Sequence, residues 1–128
     1  MTYKAKYKNI KTKTFDGIVH DSVKEAQRWG ELLLLQRAGK ITDLKRQVQF
    51  ELIPAQYETY ERYGKTGQRL KDGRRLIEKA VVYRADFVYT DAETVETIVE
   101  DTKGVKTKDY IIKRKLMLSV YGIRIKET

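Results

Sequence analysis

Residues 80–104 read AVVYRADFVYTDAETVETIVEDTKG. The stretch holds two runs rich in β-branched and aromatic residues, separated by Asp91-Ala92-Glu93, and it predicts a hairpin of two strands over 80–90 and 94–103. Alternation sorts the second strand. Val95, Thr97, Val99, Asp101 and Lys103 fall on one face, and Glu96, Ile98, Glu100 and Thr102 on the other. Asp101 and Lys103 therefore point the same way, about 7 Å apart along the strand, and Glu100 points away from Lys103. On the first strand Asp86 stands among apolar and aromatic neighbours, where a carboxylate without a partner is expensive. An antiparallel register can bring Asp86 to the same place as Asp101.

Outward from this hairpin, the spacing predicts a helix over 22–38. Ser22 is suited to the N-cap and Glu25 follows three residues later, the capping-box pattern; Gly39 is suited to end the helix. Residues 44–53 alternate as a strand, with Val48, Phe50 and Leu52 on one face and Gln47, Gln49 and Glu51 on the other, and Pro54 stops it. Residues 55–79 are polar, basic and rich in Gly and Tyr, and predict a long loop or protruding hairpin. A second helix is expected over 109–121, capped by Gly122, with a short edge strand after it. The order is helix, three strands, helix, short strand: an α/β domain with a central mixed sheet flanked by helices.

The chain has 128 residues, which suits one domain spanning 1–128 and is enough for a core without staples. It contains no Cys and one His, which excludes disulfides, thiol catalysis and thiolate or multi-His metal sites. A catalytic metal would be held by oxygens, which points to Mg²⁺ or Mn²⁺. The net charge of +9 favours a polyanion. The longest strongly apolar run is Leu32 to Leu35, so no membrane span is expected, and the basic start lacks a signal-peptide core, which predicts a cytoplasmic protein.

The bases cluster: Lys4, Lys6 and Lys8 at the start; Arg62, Lys65, Arg69, Arg74 and Arg75 in the 55–79 arm; Lys106, Lys108, Lys113, Arg114 and Lys115 toward the end. All are candidates for contact with a nucleic-acid backbone. The tyrosines Tyr60 and Tyr63 beside Arg62 suit a phosphate-contacting or base-stacking arm. Between the basic segments lies an acidic one, Asp91 to Asp101, beside a lysine. Two carboxylates and a lysine suit phosphodiester hydrolysis. A divalent ion held by the acids polarises the phosphate and acidifies water, and the lysine orients that water or neutralises developing charge. No P-loop pattern and no nucleophilic triad is present, which disfavours NTP hydrolysis and acyl transfer.

Ser22-Val23-Lys24-Glu25, Ala85-Asp86-Phe87 and Val99-Glu100-Asp101-Thr102-Lys103-Gly104 together resemble the PD-(D/E)XK nuclease superfamily, and most closely small phage-encoded members related to Holliday junction resolvases. The resemblance covers most of the chain. It departs at Ala85, where the superfamily often has Pro. It implies a restriction-endonuclease-like core and an active site of Glu25, Asp86, Asp101 and Lys103. It further implies Mg²⁺ on Asp86, Asp101 and the Thr102 carbonyl, with Glu25 bound directly or through water, and products with 5′-phosphate and 3′-hydroxyl ends. Gln47 or Gln49 could assist. The expected function is a Mg²⁺-dependent DNA endonuclease, acting on branched DNA in phage replication or recombination and, to cut two strands, as a homodimer in the host cytoplasm. The alternatives are a non-catalytic nucleic-acid-binding module of the same fold and an RNA-directed nuclease.

Overall fold

The computed structural model describes residues 10–128. In chain order these form β1 (Thr12–Lys13), β2 (Val19–His20), α1 (Val23–Arg37), β3 (Ile41–Ile53), β4 (Gln56–Tyr63), β5 (Arg69–Glu78), β6 (Val81–Asp91), β7 (Thr97–Asp101), α2 (Lys108–Tyr121) and β8 (Lys126–Glu127). The fold is α/β with a mixed sheet and two helices, but it is richer in strands than the sequence predicts. Residues 56–78 are a two-stranded ribbon, and a small β1–β2 hairpin precedes the first helix.

The central sheet has the order β3-β6-β7-β8. Its first three strands are antiparallel, and β8 joins β7 in parallel. A parallel pair needs a crossover, and α2 supplies it. Neighbouring residues on a strand point to opposite faces. Ile98 packs with Trp29 and Leu32 of α1, whereas Val99 packs with Tyr110 and Met117 of α2. The helices thus cover opposite faces of the sheet, and each face has its own apolar cluster.

The helix ends obey the capping signals. The Ser22 hydroxyl accepts from the Glu25 amide at 3.1 Å, and the Thr107 hydroxyl accepts from the Tyr110 amide at 3.2 Å. Gly122 ends α2 with φ of 68°, a left-handed conformation that side chains resist.

The strand expected over 94–103 is shorter, Thr97–Asp101. The Asp91 carboxylate accepts from the amides of Glu93 and Thr94, and Val95 takes a left-handed φ of 61°, so the turn consumes the first three residues. At the other end Thr102 and Lys103 lie beyond the strand. β3 begins at Ile41, three residues earlier than the alternation indicates. A register shift between Thr42 and Lys45, with Asp43 at φ of 56°, interrupts the alternation there.

Candidate active site

The two central strands are irregular at one level. Along β6, Tyr83 and Ala85 belong to the cluster containing α2, whereas Phe87 and Tyr89 belong to the cluster containing α1. Residues of one parity share a face in a regular strand, so β6 changes face between Ala85 and Phe87, at Asp86. On β3, Phe50 and Leu52 pack toward α2 and Leu44 toward α1. The register pairs Arg46 with Phe87 and Val48 with Ala85, which sets Gln47 opposite Asp86. Gln47 carries the distortion, a left-handed φ of 54° in the middle of a strand.

This seam brings residues from both layers together. Gln47 donates from its side-chain amide to Glu25 Oε1 of α1 at 3.0 Å. The backbone amide and hydroxyl of Thr102 both donate to Asp86 Oδ2 at 2.9 Å. On the α2 side, the Tyr83 hydroxyl donates to Asp101 Oδ2 at 2.5 Å. Lys103 Nζ stands 3.3 Å from Asp101 Oδ1 and 4.9 Å from the Tyr110 ring centroid. A cleft of about 320 Å³ opens here, lined by Ser22, Lys24, Glu25, Asp86, Thr102 and Lys103 among others. Glu25, Asp86, Asp101 and Lys103, expected together from the sequence, are brought together.

The capping-box reading of Glu25 holds only for its amide. Its carboxylate does not return to the cap but is buried against Gln47. Burial, then the charges of Asp86 and Asp21, push its pKa up to about 7. Asp101 is fully buried, and its pKa is raised by burial and then by Asp86. Asp86 therefore repels both Glu25 and Asp101, and a cation would relieve that repulsion.

Among the described residues no three acids or histidines sit close enough to form a ready metal cage. That arrangement still suits Mg²⁺, which commonly takes one or two carboxylates and fills its shell with water and substrate phosphate. Asp101 Oδ1 is buried and accepts no hydrogen bond among the described residues, although Lys103 Nζ stands 3.3 Å away. An orphaned carboxylate oxygen beside Asp86, in an all-oxygen donor set, fits a hard divalent cation. Asp86 and Asp101 are the side chains that could hold it, with Glu25 behind them.

Other expectations fare differently. Gln49 is exposed and paired across the ladder with Arg84, away from the cleft, whereas Gln47 bonds to Glu25, one of the residues that line it. Asp86 makes no ion pair with Arg84. Arg114 and Lys106 are engaged by Glu127, at 3.3 and 3.6 Å, while Lys108, Lys113 and Lys115 make no ion pair among the described residues. Arg69 pairs with Asp72, and Arg75 with Glu58. Lys4, Lys6 and Lys8 lie outside the described residues.

Four supporting groups were not foreseen. His20 is fully buried, with Nε2 3.3 Å from the Thr14 hydroxyl and Nδ1 3.9 Å from Glu25. Burial, then Arg46, lowers its pKa and favours the neutral ring. Glu100, next to Asp101, is fully buried and bridged to α1 by the Arg28 guanidinium, and it also accepts from the Tyr89 hydroxyl. Against the burial that would raise it, Arg28 and Tyr89 hold the Glu100 pKa below its ordinary value. Tyr83 and Arg28 carried no local sequence signal, because their partners lie 18 and 72 residues away.

The chain belongs to a protein family described as "Protein of unknown function (DUF1064)", whose model matches residues 4–126. No curated protein matches the chain, and no solved structure matches it. No helix among the described residues is long and apolar enough to cross a membrane.

Proposed function

We propose that this protein is a Mg²⁺-dependent DNA endonuclease with a restriction-endonuclease-like core, with Mn²⁺ the alternative ion. One observation carries the reading. Glu25 of α1, Asp86 of β6 and Lys103 after β7 line one cleft, and Asp101 is buried against Lys103 with a carboxylate oxygen that has no hydrogen bond among the described residues. Lys103 pairs with that oxygen by charge at 3.3 Å but leaves it without a hydrogen bond, which is costly for a buried polar atom.

Asp86 and Asp101 would hold the ion, joined by the Thr102 carbonyl and by Glu25 through water. When bound, the ion supplies Lewis-acid polarisation of the scissile phosphate. Thr102 fixes Asp86 with two hydrogen bonds, and Tyr83 fixes Asp101. Lys103 places a positive charge at the mouth of the cleft, where it orients the attacking water and offsets charge developing on the phosphate. Glu25 lines the cleft too, and Gln47 holds its carboxylate. The products carry 5′-phosphate and 3′-hydroxyl ends. Branched DNA is the proposed substrate, a homodimer the proposed assembly for paired cuts, and the cytoplasm of a phage-infected cell the proposed setting.

Cleavage of end-labelled duplex, flap and four-way-junction DNA, with Mg²⁺ or with chelator, tests this. Metal-dependent cutting that Asp101→Ala abolishes supports the reading. Binding without cutting in either Mg²⁺ or Mn²⁺ removes it and leaves a binding module of this fold.

A further inference from the structure

Among the described residues the β4–β5 ribbon makes no substantial contact outside itself; its packing is internal. Every residue of β4 is exposed. Such a ribbon buries no core, yet its form is specified in detail. Tyr60 lies over Gly73, where a side chain's first carbon would come within 2.3 Å of the ring. Arg75 lies over the Tyr60 ring at 4.9 Å, Arg74 over Tyr57 at 3.9 Å, and Arg69 over Tyr63 at 5.7 Å. Three tyrosines on one strand thus carry three arginines from the other. A guanidinium held flat on a ring loses little further freedom when its N–H edge meets a phosphate.

Charge decides what this surface fits. Two of the ribbon's acids are neutralised within it, Glu58 by Arg75 and Asp72 by Arg69. Arg62, Lys65, Lys71 and Arg74 have no ion-pair partner among the described residues. Glu61 and Glu78 also make no ion pair among the described residues, but the four free bases outnumber them and the unneutralised charge is positive. Ten residues of β5 span roughly 33 Å, close to one turn of duplex DNA. A two-stranded ribbon also matches the width of the major groove, about 12 Å. The ribbon grows from β3 and β6, the strands that carry Gln47 and Asp86.

We infer that the β4–β5 ribbon is a second DNA-contacting surface: it lies along the groove of duplex DNA and grips the flanking phosphates with Arg74, held on Tyr57, and with Arg62, Lys65 and Lys71. The inference takes its partner from the nuclease reading of the cleft, but it concerns binding and not cleavage.

The test is binding of the full chain to a fluorescent 30-base-pair duplex in chelator, over a salt series. The variants are Arg62→Gln/Lys71→Gln/Arg74→Gln, Tyr57→Ala and Tyr57→Phe. All these sites are exposed, and circular dichroism checks the fold. The triple variant should weaken binding roughly tenfold or more and lower the slope of log K against log salt by about 3. Tyr57→Ala should weaken binding by several-fold and Tyr57→Phe should not, since the ring alone supports Arg74. An unchanged affinity and slope in the triple variant overturns the inference. So does a wild type that fails to bind duplex, or a ribbon variant whose only change is loss of a dimer in sedimentation, which would mark the ribbon as a contact between copies. Wild type that binds through the ribbon but never cuts with metal sinks the nuclease reading and leaves the ribbon inference standing.

Discussion

Gln47 stands opposite Asp86 at the level where the central strands change face, and its amide holds Glu25 from the other layer at 3.0 Å. One left-handed residue thus lets a strand, its neighbour and a helix contribute to one cleft. A regular sheet would send Asp86 and Glu25 to unrelated surroundings. Positive φ at a residue with a side chain costs about 1–3 kcal/mol, and such strain gathers at functional sites.

Gln47→Gly removes the amide and supplies the residue best suited to φ of 54°. Relief of strain offsets the lost hydrogen bond and the added freedom of the unfolded chain, so stability in urea should stay within about 1 kcal/mol of wild type. Cleavage should fall at least about tenfold, because Glu25 loses its anchor. Parallel urea titration and cleavage kinetics separate the two effects.

The carboxylate cluster predicts stability that falls with rising pH in the absence of metal. Glu25 has its pKa raised from its ordinary 4.5 to about 7, chiefly by burial and then by Asp86, so the folded state holds a proton that the unfolded state has released. More protons bound in the fold means stability present below the unfolded value and lost as pH rises through the folded one. The window is therefore about pH 4.5 to 7, and the raised pKa of Asp101 adds a loss of the same sign. Urea midpoints measured across this range in chelator should decline, and Glu25→Gln should flatten the curve.

A cation that binds the folded site must stabilise it by mass action. Thermal unfolding at pH 8 should shift upward with Mg²⁺ in wild type and not in Asp101→Asn. Without metal, Asp101→Asn should unfold at or above the wild-type temperature, since it removes a buried charge that Asp86 repels and still accepts from Tyr83. A Mg²⁺ shift of equal size in both proteins would place the ion elsewhere.

Arg28 and Glu100 tie α1 to β7 one residue before Asp101. Arg28→Met leaves a fully buried carboxylate without its partner and should cost about 3 kcal/mol or more. The double variant Arg28→Met/Glu100→Leu should recover most of that loss, because burial of the pair is itself expensive. Urea unfolding of wild type, both single variants and the double variant reads the coupling.

The grouping of the candidate residues was more legible in the sequence than the framework that assembles it. Asp101 and Lys103 could be placed together from alternation, even though Lys103 lies past the strand's end. Ser22 announced the start of α1. Gln47 and Gln49 could not be told apart, because alternation gives both the same face and no residue type signals a left-handed φ at Gln47. Residues 56–78 left loop and hairpin open, since a ribbon exposed on both faces has no apolar alternation to read. His20, Tyr83 and Arg28 were missed for a different reason. Their roles depend on partners fixed only when the sheet and helices have packed.

The most direct test is cleavage of labelled four-way-junction and linear duplex DNA by wild type and Asp101→Ala under Mg²⁺, with binding followed in parallel. The account predicts cutting by wild type that stops with chelator and is lost by a factor of about 10³ or more in the variant, while DNA binding persists. Wild type that binds these DNAs and cuts none, or a variant that cuts as fast as wild type, would contradict it.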